Sequence, residues 1–293
     1  ALNPYDYEIH SFLAYVLTLQ MLGLTRKNND YIVRVLISLD SYKHWFAEDD
    51  ELSKDNKRPD FMLIEIPYTP ETITTGNKLH IKVRIIECKM GFQNENHISK
   101  AKTQLEKGIN TMAINWRPNA TGVMHRYWLN QLYRAIIFSP LNMDNSSPEY
   151  DVVRNKIYGI LNGEYDIEWN GDIFAFWLDE NSDEPNEYEI SSDIQLNLSA
   201  KGIVVGNLIC HNCGQMLIQK MLLPEDERTS HFDFNNIIAP EESCEEDDDF
   251  EESTTTEATG IGDTIPSLAA INIPFIHYLS DGIEHGRSEC LKW

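Results

Sequence analysis

Hydrophobic residues recur along this chain in two rhythms, each marking a different kind of element. Between Tyr7 and Gly23 (YEIHSFLAYVLTLQMLG) apolar positions return at threes and fours, which predicts an amphipathic helix with Gly23 as its stop. Tyr31–Leu39 (YIVRVLISL) is β-branched and apolar, strand-like in composition, with a helix still open. The polar, charge-dense stretch through Glu48–Lys57 predicts a loop. Phe61–Pro67 (FMLIEIP) and Leu79–Lys89 (LHIKVRIIECK) read as two strands joined by a turn containing Thr, Gly and Asn. Ile98–Met112 and Arg126–Phe138 predict two helices of similar length. Tyr165–Leu178 (YDIEWNGDIFAFWL) sets Asn170-Gly171 between two apolar-aromatic runs, the strongest short hairpin signal in the sequence. Ile203–Leu208 predicts a further strand and Gln215–Leu223 a short helix, and no internal repeat is present.

The closing stretch changes character. Pro240–Thr259 is acidic and of low complexity, with nine acidic residues and no basic one in Glu241–Glu252. Such a block buries too little apolar surface to offset its ordering entropy and self-repulsion, so disorder is expected over residues 236–264. Ile265–Trp293 regains apolar residues but is too short to fold alone, and is expected to begin a further domain or form a tail.

A length of 293 residues suits one large domain or two modest ones, and the 42% hydrophobic, 24% charged composition is that of a globular protein. No apolar run approaches the roughly 18 residues a membrane span needs. The opening ALNPYDYEIH has neither the basic nor the apolar region of a secretory signal, and the five cysteines form no disulfide framework; a cytoplasmic location is the expectation. The net charge of −23 argues at first against a nucleic-acid partner. Residues 1–130, however, carry 16 Lys/Arg against 15 Asp/Glu, whereas residues 131–293 carry 8 against 32. The acidity belongs to the second half, and the first half is free to meet DNA.

The first half also holds the chemistry. Asp60 stands directly before one strand, and Glu87 and Lys89 close the next. Residues two apart on a strand share a side, so Glu87 and Lys89 lie on the face of Ile81, Val83 and Ile85. If the two strands form an antiparallel hairpin, Asp60 falls beside Glu87 and Lys89. Two carboxylates make a hard oxygen site suited to Mg²⁺ or Mn²⁺, and the main-chain carbonyl of Cys88 offers a third oxygen. A lysine beside such a metal can orient an attacking water and steady charge on a phosphodiester.

Asp60 and Glu87-Cys88-Lys89, with Pro59 before the aspartate, resemble the signature of the PD-(D/E)xK nuclease superfamily, the restriction-endonuclease-like fold. The order helix, strand, strand with Asp, strand with Glu-x-Lys, helix covers residues 5–115 and resembles that superfamily's core. The resemblance implies an α/β fold with a mixed central sheet flanked by helices, and a Mg²⁺- or Mn²⁺-dependent deoxyribonuclease acting on double-stranded DNA. It implies Asp60, Glu87 and the Cys88 carbonyl as metal ligands, Lys89 as the water-positioning group, Glu8 on the first helix as a further acid, and Gln104 on the following helix as a polar neighbour. The expected organisation is then a nuclease-like domain over 1–235, with a catalytic core at 5–115, a helical segment at 123–140 and a β-rich C-terminal extension at 157–223. ECKMG, KAKTQLEKGI and YWLNQLYR followed by an acidic linker are further similar to the N-terminal region of HerA/FtsK-type ATPases of DNA phosphorothioation-dependent restriction (DndH/DptH type). That likeness implies an antiviral restriction complex with an ATPase motor in cis or trans, other complex subunits, and a homo-oligomer as a further option; no GxxxxGK(S/T) stretch lies within the chain.

The same residues admit plainer readings. Asp60 can serve as a turn residue, Glu87 and Lys89 as an ordinary ion pair, Glu8 as a helix-dipole partner, Gln104 and Lys100, Lys102 and Lys107 as a solvated helix face. The nuclease fold can also act as a catalytically silent platform for sensing DNA or assembling a complex. Cys210-His-Asn-Cys213 has zinc-knuckle spacing without a second ligand pair, and free thiols are the simpler expectation. His97 and His125 belong to no ligand pattern, and Tyr127, Trp128 and Tyr133 fall at core-like helical spacing. Neither a GxSxG elbow nor a GxGxxG loop is present.

Overall fold

The computed structural model describes residues 7–24, 29–46 and 58–223, with two short strands at 279–280 and 283–284. The expected loop at Glu48–Lys57, the acidic linker and almost all of the closing segment lie outside the described residues. Helix α1 spans Tyr7–Met21, and Gly23, at φ +60°, takes the left-handed conformation that stops it. Strand β1 (Tyr31–Ser38) follows and runs into a 3₁₀ segment, Leu39–Phe46. Strands β2 (Phe61–Pro67) and β3 (Leu79–Gly91) form the expected antiparallel pair, their connection holding a single helical turn, α2 (Pro70–Ile73), capped by the Thr69 side chain.

Three helices come next: α3 (Glu95–Asn115), α4 (Val123–Ile137) and α5 (Pro148–Gly159). The chain then gives β4 (Tyr165–Trp177), β5 (Asn186–Glu189), α6 (Ile194–Ser199), β6 (Val204–Cys213) and α7 (Gln215–Met221). A two-residue pair, β7 (Leu279–Ser280) and β8 (Ile283–Glu284), is antiparallel. No described helix is long and apolar enough to cross a membrane.

Six strands make one mixed sheet in the order β1-β2-β3-β4-β6-β5, with β3, β4 and β6 parallel and the outer pairs antiparallel. Both faces are covered. On one, Ile81, Val83 and Ile85 pack with Leu105, Ile109 and Met112 of α3, Leu132 of α4 and Ile157 of α5. On the other, Leu63, Ile86, Phe174 and Phe176 pack with Leu17 of α1 and Leu217 of α7. The fold is therefore α/β, a mixed sheet between helical layers.

Two expectations are corrected. Tyr165–Leu178 is not a hairpin: β4 runs unbroken through Asn170-Gly171 and pairs in parallel with β3 from Leu79↔Tyr165 to Gly91↔Trp177. Gly171 is there for closeness, since a Cβ would lie 2.7–3.1 Å from Leu208, Leu105 and Ile109. Nor are residues 157–223 an extension. Strand β4 is central, beside β3, and β6 and β5 continue the same sheet, so the segment 5–115 supplies only three of its six strands.

Candidate functional site

The β2–β3 ladder ends at Phe61↔Ile86, one residue after Asp60. Asp60 continues it, its amide donating to the Ile86 carbonyl (3.1 Å) and its own carbonyl accepting from Leu39 N–H (3.0 Å). Its carboxylate turns back onto β3: Oδ2 accepts from the Cys88 amide at 2.7 Å, and Oδ1 accepts from the Tyr15 hydroxyl of α1 at 3.0 Å. Within a strand a residue's N–H and C=O point to the same edge, so the Cys88 carbonyl faces the edge that Asp60 lines.

Glu87 and Lys89 project from the opposite face of the sheet to Cys88, as alternation requires. Glu87 is fully buried at the end of the Ile81, Val83, Ile85 row. Its Oε1 accepts from the Lys89 ammonium, while Oε2 is buried without a hydrogen-bond partner. Gln104 of α3 closes the group. Its amide nitrogen donates to the Arg58 carbonyl at 3.1 Å, which leaves its oxygen facing Lys89 Nζ at 3.5 Å. The Arg58 guanidinium in turn pairs with Asp40 of the 3₁₀ segment at 3.0 Å.

Packing fixes the aspartate's turn. Pro59 lies against Gly108 of α3 so closely that a Cβ there would be 2.4 Å from the proline Cγ. On the far side, α1 reaches the same two segments with residues three apart, Tyr15 to Asp60 and Thr18 to the Cys88 thiol (3.2 Å).

Burial shapes the electrostatics. It raises the Asp60 carboxyl above the usual range, against the pull of the Cys88 amide, the Lys89 charge and the Tyr15 hydroxyl. Burial and then the Asp60 charge push Glu87 well above a normal glutamate, with Lys89 opposing. Burial works against the Lys89 ammonium, but Glu87 beside it prevails and holds Lys89 above its ordinary value. The Asp60 charge raising Glu87, together with a buried Glu87 oxygen that has no partner, makes a place that a cation would relieve. Among the described residues no three His, Cys, Asp or Glu side chains gather as a metal cluster. The fit is to an ion content with two carboxylates, a carbonyl and waters, which is the habit of Mg²⁺ rather than of zinc.

Glu8 lies in the first turn of α1, and its side chain falls outside the described residues. Lys102 is engaged by the Ser191 carbonyl (2.5 Å) and Glu106 (3.7 Å). Trp128 is buried and Tyr127 is at the surface. Cys210 and Cys213 both belong to β6, three residues apart, so their side chains face opposite sides of the sheet and cannot share a metal.

A second polar cluster escaped the sequence reading. Arg34, Glu65, Arg84, Asp172, His211 and Glu187 come from β1, β2, β3, β4, β6 and β5, one from each strand in sheet order, with charges alternating along the row. Arg34 Nε bonds Glu65 Oε1 (2.8 Å), Arg84 reaches Glu65 (3.4 Å) and Asp172 (3.2 Å), and His211 joins Asp172 (3.1 Å) to Glu187 (2.7 Å). Burial would lower the His211 pKa, but the flanking carboxylates raise it to about 9, and the ring stacks on Phe174 at 4.6 Å. The signal was present for five of the six: Arg34, Glu65, Arg84, Asp172 and His211 are charged or titratable residues inside largely apolar strands, where a charge needs a partner, whereas Glu187 lies on the exposed β5.

No protein-family model, no curated protein and no solved structure matches the chain, so the functional reading rests on the site itself.

Proposed function

We propose that this chain is a metal-dependent deoxyribonuclease of restriction-endonuclease-like fold, hydrolysing phosphodiester bonds in double-stranded DNA. One observation carries the reading. Asp60 and Glu87-Cys88-Lys89, 27 positions apart, meet where β2 gives out beside β3, with a buried carboxylate oxygen still unpartnered. Asp60, Glu87 and the Cys88 carbonyl would hold a Mg²⁺ or Mn²⁺ ion, which would polarise a phosphoryl oxygen and lower the pKa of a bound water. Lys89 supplies positive charge to that site. Gln104, fixed by the Arg58 carbonyl, gives the ammonium a second partner besides Glu87 and would keep Lys89 oriented if the carboxylate were engaged by a cation. Its charge then steadies the negative charge that develops on the phosphate.

The near-neutral charge of the first half implies weak intrinsic affinity for DNA, whose binding normally grows with the number of phosphates neutralised. A partner subunit, an oligomer or a tethered translocase of a restriction complex would supply the local concentration that the surface does not. Plasmid cleavage with Mg²⁺ or Mn²⁺ tests the proposal. Wild-type protein is expected to nick or linearise DNA, and Asp60→Asn, Glu87→Gln and Lys89→Ala to lose at least a hundredfold in rate. If wild type and Lys89→Ala are equally inert, with and without a translocase partner, the chain is a silent platform instead.

A further inference from the structure

We propose that Tyr15 is a positioning residue that holds the Asp60 carboxylate toward the Glu87–Cys88 edge where a cation binds; the inference rests on the metal site proposed above. A carboxylate on a turn is free to rotate about its last bond unless both oxygens are held. At Asp60 they are, by two donors of different origin: the Cys88 amide at 2.7 Å and the Tyr15 hydroxyl at 3.0 Å. The first donor is a main-chain amide whose position is set by the sheet. The second is a side chain brought in by α1, and its ring is itself fixed edge-on against Phe61, centroids 4.7 Å apart.

Donation from Tyr15 occupies one lone pair of Oδ1 and leaves the other for a metal, since each carboxylate oxygen accepts twice. The tyrosine thus orients a ligand that it does not replace. The Thr18 hydroxyl, one turn on, bonds the Cys88 thiol, so α1 offers an internal comparison: one hydroxyl on the proposed ligand and one beside it.

The experiment titrates Mn²⁺ into wild type, Tyr15→Phe, Thr18→Val, Asp60→Asn and Glu87→Gln, reading free Mn²⁺ by electron paramagnetic resonance, and records thermal unfolding of each without metal. Tyr15→Phe keeps the ring on Phe61 and should weaken Mn²⁺ binding about tenfold or more, the worth of one hydrogen bond to a charged group. Half-saturating Mg²⁺ for DNA cleavage should rise by the same factor, with the rate recovered at saturating metal. Thr18→Val should lower the unfolding midpoint and leave Mn²⁺ affinity within twofold. Equal weakening by Thr18→Val would mean that docking of α1, not the Asp60 contact, matters, and would overturn the inference. So would unchanged affinity in Tyr15→Phe when Asp60→Asn abolishes binding. Mn²⁺ binding untouched by Asp60→Asn and Glu87→Gln would instead refute the metal site itself.

Discussion

Replacing Gly108 with alanine measures how far the site depends on the close approach of α3 to the Arg58-Pro59-Asp60 turn. A Cβ at position 108 would lie 2.4 Å from Cγ and 3.2 Å from Cδ of Pro59, and 3.3 Å from Cγ2 of Ile85. Carbon atoms attract best at about 3.5–4.0 Å, so the proline must retreat by roughly 1 Å. A flexible side chain would swing aside; the proline ring is part of the backbone, so its retreat carries Asp60 with it or lifts α3 from Ile85. Alanine in a helix interior is better than glycine by about 1 kcal/mol, while overpacking a filled contact costs about 1–3 kcal/mol. The net change in unfolding free energy is then a loss of about 0–2 kcal/mol.

The effect on the site should be larger than the effect on the fold, because the Asp60 carboxylate depends on hydrogen bonds of 2.7 and 3.0 Å that a displacement of that size removes. Urea unfolding and Mn²⁺ titration of Gly108→Ala, Pro59→Ala and the double variant separate the two. Gly108→Ala alone should weaken Mn²⁺ binding about tenfold or more, the worth of one or two such bonds. With the ring removed, the same alanine should become neutral or stabilising, a coupling of about 1–3 kcal/mol between the positions. If Gly108→Ala adds its full helix-forming gain beside an intact Pro59 and leaves metal affinity alone, contact with α3 does not set the position of Asp60.

Three further outcomes follow from the sheet. Gly171→Ala places a methyl among Leu208, Leu105 and Ile109 and should destabilise the protein by about 1–3 kcal/mol; an unchanged urea midpoint would restore the turn reading of Asn170-Gly171. Arg84→Met removes the cation shared by Glu65 and Asp172 and should cost about 3 kcal/mol, each carboxylate keeping one other partner, as the same urea midpoints would show. His211 has a folded pKa of about 9 against about 6.5 unfolded, so its contribution is complete below pH 6.5 and lost as pH rises through 9. Unfolding free energy should therefore fall by on the order of 2–3 kcal/mol across that window; a curve as steep in His211→Gln would exclude this cause.

What the sequence made legible follows the range of the forces involved. The helix ending at Gly23, the strands Phe61–Pro67 and Leu79–Gly91, and their antiparallel pairing are set by local periodicity and a short connection. Those same features bring Asp60 to Cys88, so the candidate site was readable from neighbouring residues. Asn170-Gly171 was misread because a glycine needed for a turn and a glycine needed beneath a crossing helix look alike in one dimension. Only the approach of Leu105 and Ile109, more than 60 positions earlier, tells them apart. The apolar run IFAFW after it was the better clue, since a parallel strand covered on both faces loses its alternation.

The charged row is the harder case, and it bears on how the site is held. Glu65 among FMLIEIP and Asp172 before IFAFW read singly as irregularities, and their partners emerge only when strand order and register are known. A buried carboxylate set one strand over, or one residue out of register, would lose its cation and be left unpaired, at a cost of several kcal/mol. The row therefore favours the order β1-β2-β3-β4-β6-β5 over its alternatives. Glu65 lies in β2 and Arg84 in β3, the two strands whose register brings the Asp60 carboxylate within reach of the Cys88 amide. A one-residue slip between them would break the Arg84–Glu65 pair and carry Asp60 past the Cys88 amide together. The charges in the sheet and the charges at its end are thus governed by a single register.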